Sequence, residues 1–193
     1  MTRSVNPRGL IRTLPGWTDN VQAFHTGGNV AGNKKPIFAA FTGGIGAYSF
    51  THTSEPEIHL VYHIEHDYMP GTNVFPHVHW APSDTSAGVV RWGIEWTHAK
   101  GHGQEAFTES QTIYVEEAAG RQALFHQVTE TAYPGIYIEG LEADSIVLIR
   151  IFRNSNHAND TYAAPVFGLA ADLHYQVSQV ATIGKTPDFF VAD

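Results

Sequence analysis

The chain has 193 residues, of which 42% are hydrophobic and only 16% charged, and its formal net charge is −8. That length suffices for one domain with a substantial core, while so few charged residues imply that part of the surface is covered by other chains. The 11 Lys and Arg are too few for the basic face that nucleic-acid phosphates require, and the absence of Cys excludes disulfides, zinc ribbons, iron–sulfur clusters and thiol nucleophiles.

Residues 1–36 scatter Pro7, Pro15 and several Gly among isolated apolar side chains. This predicts an extended N-terminal arm, with three courses open to it: along a neighbouring chain, along its own sheet, or frayed. Its first residues carry charge but no apolar run of signal-peptide length, and no later stretch approaches a membrane span. A soluble product made in a cytosol, with no membrane contact, is expected.

Residues 37–193 are expected to form a single all-β domain, because short runs of β-branched and aromatic residues recur between Gly, Pro, Asn and Asp turns without a sustained helical period. An antiparallel sandwich or a barrel fits this pattern. Strands are predicted at 47–52, 57–67, 76–80, 89–98, 111–116, 124–129, 136–138, 145–153 and 165–180. Residues 115–128 also fit a short helix; strand, turn and strand is the reading adopted.

Alternation assigns faces. In 57–67, Ile58, Leu60, Tyr62 and Ile64 point one way, with His59, Val61, His63 and Glu65 opposite. In 89–98, Val90, Trp92, Ile94 and Trp96 form the apolar face, with Arg91 and Glu95 behind. In the last strand Phe167, Leu169, Ala171, Leu173, Tyr175 and Val177 are set against Asp172, His174 and Gln176. Residues 145–153 are apolar on both sides, which predicts a central strand covered on both faces.

The most conspicuous chemical feature is Pro76-His77-Val78-His79-Trp80. A spacing of two on a strand places both imidazoles on one face, where they offer two nitrogens to a metal ion. Gly71 completes the start of a cupin-like pattern, but Asp84 stands where that pattern has Glu, and its second half is missing. His98, His102, His126 and His174 are candidates for a third ligand. The favoured reading makes His77 and His79 part of a polar structural or interface cluster with Arg91 and Glu95 on a neighbouring strand, extended by His59, His63 and Glu65. A catalytic metal site needs three convergent ligands. A third arrangement shares one structural ion around a three-fold axis, each of three chains contributing its His-x-His. The polar loop at 154–162 offers Asn154, Asn156, Asn159 and Asp160 to a cation, but without the spacing of a calcium loop it reads first as Asx turns. No phosphate loop, dinucleotide fingerprint, nucleophile elbow or His-Glu-x-x-His helix is present.

The segments FPHVHWAPSDTSAGVVRWGIEWTHA at 75–99 and SIVLIRIFRNSNHANDTYAAPVFGLAADLHYQV at 145–177 resemble a family of structural proteins of tailed bacteriophages and prophages. The shared positions are His77, His79, Trp80, Val90, Trp92, Glu95 and Trp96, then Arg150, Arg153, Asp160, Thr161 and Tyr162, and finally Asp172, His174, Tyr175 and Gln176. His98, His102 and the longer insert at 117–122 depart from it. The resemblance implies a jelly-roll-like β-sandwich, present as a homotrimer on the virion as a capsid decoration or cement protein, a head fibre or a tail component, with no known enzymatic activity. Its partners would be the major capsid protein or tail proteins. The competing expectations are a cupin-like metalloenzyme built on His77 and His79, and a tail or fibre domain that recognises a host-surface glycan.

Overall fold

The computed structural model describes residues 4–5, 11–12, 16–24, 34–120 and 122–177, with the backbone alone at residues 4, 5, 11, 12 and 16. Among these residues there are twelve strands and no helix. The stretch with an alternative helical reading is strand, turn and strand.

The first two strands, β1 (Ser4–Val5) and β2 (Ile11–Arg12), pair with each other. Six strands make the larger sheet: β3 (Gly16–Ala23), β4 (Ile37–Thr42), β5 (Ile45–Phe50), β7 (Phe75–Pro82), β10 (Gln127–Glu130) and β12 (Val166–Val177). Their order is β10-β7-β12-β5-β4, and β3 also pairs with β12. The twelve-residue β12 is long enough to be shared, bonding to β5 through residues 166–168 and to β3 through residues 170–177. The smaller sheet runs β6 (Glu57–His63), β11 (Ile146–Arg153), β8 (Val89–Ala99), β9 (Gln111–Ala118). Every pairing is antiparallel. The fold is a jelly-roll-like antiparallel sandwich.

The two sheets bury the faces that alternation assigned. Ile58, Leu60 and Tyr62 of β6 and Val90, Trp92, Ile94 and Trp96 of β8 meet Val78 and Trp80 of β7 and Ala171, Leu173 and Tyr175 of β12. Trp92 is the pivot, its ring 5.2 Å from Phe50 and 6.4 Å from Trp80. At about 25 cal/mol per Å² and 150–250 Å² for each side chain, such aromatics contribute roughly 4–6 kcal/mol apiece as an upper bound. One polar tie crosses the core, from the Tyr62 hydroxyl to the Ala171 carbonyl at 2.7 Å.

Three expectations are corrected. In β12 a register shift between Gly168 and Ala170 interrupts the alternation, so Phe167 and Leu169 do not share the face of Ala171. A bulge inserts one residue and reverses every side chain before it. Val166 and Gly168 point inward instead, and Phe167 packs against Phe41 on the outside, with ring centroids 5.1 Å apart. β11 is central, but among the described residues its outer face has no layer over it, and Leu148 is exposed beside Val61. Only Phe152 is sheltered there, because its ring lies where a Gly93 side chain would stand, 2.1 Å from the position of a Cβ. Residues 136–138 form no strand beyond a single bridge from Ile136 to Val74.

Part of the predicted arm, Gly16–Ala23, takes the course along its own sheet, as β3. Its remaining residues lie largely outside those described. The hairpin β4–β5 begins ten residues before the first predicted strand, and its signal was Gly43-Gly44 between two apolar runs.

The polar loop at 154–162 closes on an internal cation. Arg153 is fully buried, donates to Asp160 through Nε at 3.0 Å and Nη2 at 2.7 Å, and caps the carbonyls of Phe50, Ala164 and Tyr162. Asp160 also accepts from the Arg91 amide at 3.0 Å. Removing one member of a buried pair strands the other charge, at a cost of about 3–5 kcal/mol. Asp160→Asn is expected to destabilise the fold by about that amount, and the denaturant midpoint measures it; a change under about 1 kcal/mol would show that the pair does not hold the loop.

Candidate functional site

The outer face of the six-stranded sheet gathers the polar positions that the core rejects. On β12, Ala171, Leu173 and Tyr175 point inward, so Asp172 and His174 point out; on β7, Val78 and Trp80 point inward, so His77 and His79 point out. Register brings them together. Asp172 lies directly across from His77, while the residue opposite His79 is Ala170, whose methyl group leaves the imidazole free to reach diagonally to Asp172.

His77 Nε2, His79 Nε2 and Asp172 Oδ2 form a nearly equilateral triangle, with edges of 3.1 Å between the imidazoles and 3.2 Å and 2.9 Å to the carboxylate. His77 and Asp172 are buried, the latter 7% exposed, and the His79 side chain is 22% exposed. Burial alone would raise the Asp172 carboxyl, but hydrogen bonds from His77 and His79 more than reverse this and hold it at about 2. Among the described residues, Asp172 Oδ1 is buried without a hydrogen-bond partner.

The neighbouring strands supply a surround. From β10, Glu130 lies opposite His77 and approaches its Nδ1 at 3.7 Å. Just before β10, His126 stacks on His79 at 4.9 Å and meets its Nδ1 through Nε2 at 2.6 Å. His174 packs its ring 4.2 Å from that of His77 and is held between Asp19 of β3 and Glu130, the latter at 2.5 Å. Burial pulls both His126 and His174 below the usual imidazole range, which favours their neutral forms.

The predicted cluster divides. His77 and His79 are together, but Arg91 and Glu95 lie on β8 in the other sheet, so no neighbouring-strand contact joins the two pairs. Adjacency of strands cannot be read from alternation, which reports only the face. Arg91 pairs with Glu116 and donates to Asn154, while Glu95 accepts from Arg150 at 2.8 Å and Ser110 at 2.9 Å. These hydrogen bonds, Arg150 first, hold the Glu95 carboxyl below its usual range. Arg150 also bonds to Glu57, so one guanidinium ties β6, β11 and β8.

Among the four histidines considered for a third ligand, His126 and His174 border the triangle without completing it. His98 bonds to the Glu139 carbonyl at 3.1 Å and His102 to Asp144 at 2.8 Å, both elsewhere. The third group of the triangle is Asp172, and its signal was present: Asp172-x-His174 is a second same-face pair on a strand, mirroring His77-x-His79. Asp84, in the cupin-like position, accepts from the Ser86 amide and from Tyr162 instead. His63, His66 and His102 converge on Asp144 at 3.1, 3.1 and 2.8 Å. Nearer the triad, Trp17, Phe75, Glu130, Tyr133 and His174 line a shallow hollow of about 340 Å³. Trp17 and Phe75 meet at 80°, edge to face, so their rings are not coplanar.

No protein-family model matches this chain, and no curated protein matches it. Among solved structures, it is similar to a family 11 carbohydrate-binding module from Clostridium thermocellum in complex with a β-1,3-1,4-mixed-linked tetrasaccharide, at 12% identity and TM-score 0.31 over 82% of this chain and 87% of that one. A non-crystalline cellulose specific module, CBM28, aligns at 11% identity and TM-score 0.34 over 79% and 88%. A mud crab tombus-like virus structure aligns at 13% and 0.19 over 97% and 90%. None of these likenesses reaches the level at which a shared function follows.

The hydrogen bond from His102, with that from His63, outweighs burial and keeps the Asp144 carboxyl below its usual range. A carboxyl lowered on folding stabilises the fold above its unfolded value and ceases to do so as pH falls through its folded value. Asp144→Asn is expected to lower stability by less than about 1 kcal/mol near pH 6 and by nothing near pH 2. Urea unfolding at the two pH values measures the difference; a loss that persists in acid would assign it to packing instead.

Proposed function

We propose that this chain is a non-enzymatic structural component of a bacteriophage particle, a homotrimeric sandwich that decorates or cements the capsid at subunit junctions. It is made in the host cytoplasm and carried on the virion, and it contacts protein rather than nucleic acid or membrane.

The observation that carries this reading is the β4 edge. Ile37–Thr42 ends the six-stranded sheet, and from Pro36 to Ser54 the chain has no Asp, Glu, Lys or Arg. Ile37 and Phe38 point to opposite faces, yet both are exposed, at 61% and 59%, and Ile45 on the paired strand is exposed at 65%. An edge strand of a lone soluble domain is normally blunted by charge or a bulge near its middle, because its free N–H and C=O groups template pairing with another chain. Here the bulge sits at the Ala40–Thr42 end and the nearest charges, Lys34 and Lys35, lie before the strand, so Ile37–Ala40 is unprotected among the described residues, and a second copy supplies both the hydrogen bonds and an apolar cover. The outer face of β11, where Leu148 and Val61 are exposed among the described residues, gives the capsid or tail partner a second surface. The bacteriophage assignment rests on the resemblance of residues 75–99 and 145–177.

A stable contact of this kind buries more than about 1,000 Å² in total. Light scattering is expected to return the mass of three chains at micromolar concentration. The double substitution Phe38→Lys with Ile45→Lys is expected to return the mass of one, with the fold intact by circular dichroism. Purified trimer is expected to co-sediment with phage heads lacking it. A wild-type chain that stays monomeric, or a trimer that binds tails and ignores heads, would defeat the decoration role.

A further inference from the structure

We propose that His77 Nε2, His79 Nε2 and Asp172 Oδ2 hold one divalent first-row transition-metal ion per chain, zinc or an ion of similar size and softness. This goes beyond the assembly role and does not depend on it.

The size of the triangle is the first argument. Bonds of about 2.0–2.2 Å at tetrahedral or octahedral angles set ligand atoms about 2.8–3.6 Å apart. The edges here are 2.9, 3.1 and 3.2 Å. Three donors on three side chains therefore outline one face of a coordination polyhedron.

Proton placement is the second. His79 Nδ1 meets His126 Nε2 at 2.6 Å, and His77 Nδ1 faces the Phe75 carbonyl at 3.4 Å and the Glu130 carboxylate at 3.7 Å. Both Nδ1 atoms thus have acceptors for a proton, so when an ion replaces the Nε2 hydrogens that otherwise bond to Asp172, the two Nε2 lone pairs and the carboxylate oxygen can converge on it. Partners that orient a ligating imidazole through its other nitrogen are the usual surround of a metal site.

The third argument is Asp172 Oδ1, buried and, among the described residues, without a partner in a side chain 92% buried. A neutral hydrogen-bonded cluster leaves that atom unsatisfied, at the cost such groups carry. An ion beside Oδ2 compensates it, either by chelation or through a bound water. Two imidazoles and one carboxylate suit zinc, iron(II) or cobalt(II), whereas calcium and magnesium prefer oxygen-rich shells. The ligands stand on β7 and β12, paired in the middle of the larger sheet, so their positions are rigid. Three protein ligands leave coordination positions open on the side where His79 reaches solvent.

The test uses full-length protein without an affinity tag, stripped by a chelator and dialysed, then titrated with zinc alone and with cobalt(II) alone. The expected results are one ion per chain by calorimetry and elemental analysis, and visible cobalt ligand-field bands. Asp172→Asn, nearly isosteric, and His79→Gln, at a partly exposed site, are each expected to weaken binding by more than about 100-fold, while His52→Gln changes nothing. Absence of binding, binding indifferent to both ligand substitutions, or one ion for every three chains would overturn the proposal. A monomer that binds zinc through the triad upholds it while removing the assembly role, so the two failures are distinguishable.

Discussion

The antiparallel pairing of β7 with β12, from Val166 opposite Pro82 to His174 opposite Phe75, is the contact on which the molecule depends. On its inner side it aligns Trp80, Val78, Ala171 and Leu173 against the smaller sheet. On its outer side the same register sets Asp172 across from His77. From Ala170 to His174 side chains alternate without interruption, so a slip of one residue would move the apolar set to solvent and the histidines into the core. The core and the polar triangle are thus two faces of one register, and neither can be shifted without the other.

A second constraint is the handling of buried charge. Arg153 is sealed at the end of β11 by Asp160 and three carbonyls, which fastens the loop at 154–162 to the core. Arg150, three residues earlier on the opposite face, bridges Glu57 and Glu95 at the surface. The first has no solvent to replace a lost partner; the second does. This contrast explains how a chain with few charged residues uses them: as fixed ties in defined places, leaving edges such as β4 without any.

Much of the fold was legible because alternation is a local property. The apolar sets of β6 and β8 could be read residue by residue, and they are the ones buried. The reading failed in β12 before Ala171, where a bulge resets the count without leaving a compositional trace at Phe167 or Leu169. It also failed for β3, whose Gly16–Ala23 sequence is polar and weakly alternating and becomes a strand because β12 offers it an edge. The site was half legible. His77 and His79 announce themselves by spacing, but Arg91 and Glu95, equally polar and equally alternating, belong to the other sheet.

The sequence by itself determined that the protein is built of strands, which side chains β6 and β8 turn inward, that His77 and His79 share a face, and that thiol chemistry plays no part. Only the tertiary structure decided which strands are neighbours. Asp172 meets His79 across 93 positions of chain, and that closeness follows from long-range hydrogen-bond register, which no local pattern encodes: alternation names the face of a sheet, and pairing names the partner on it.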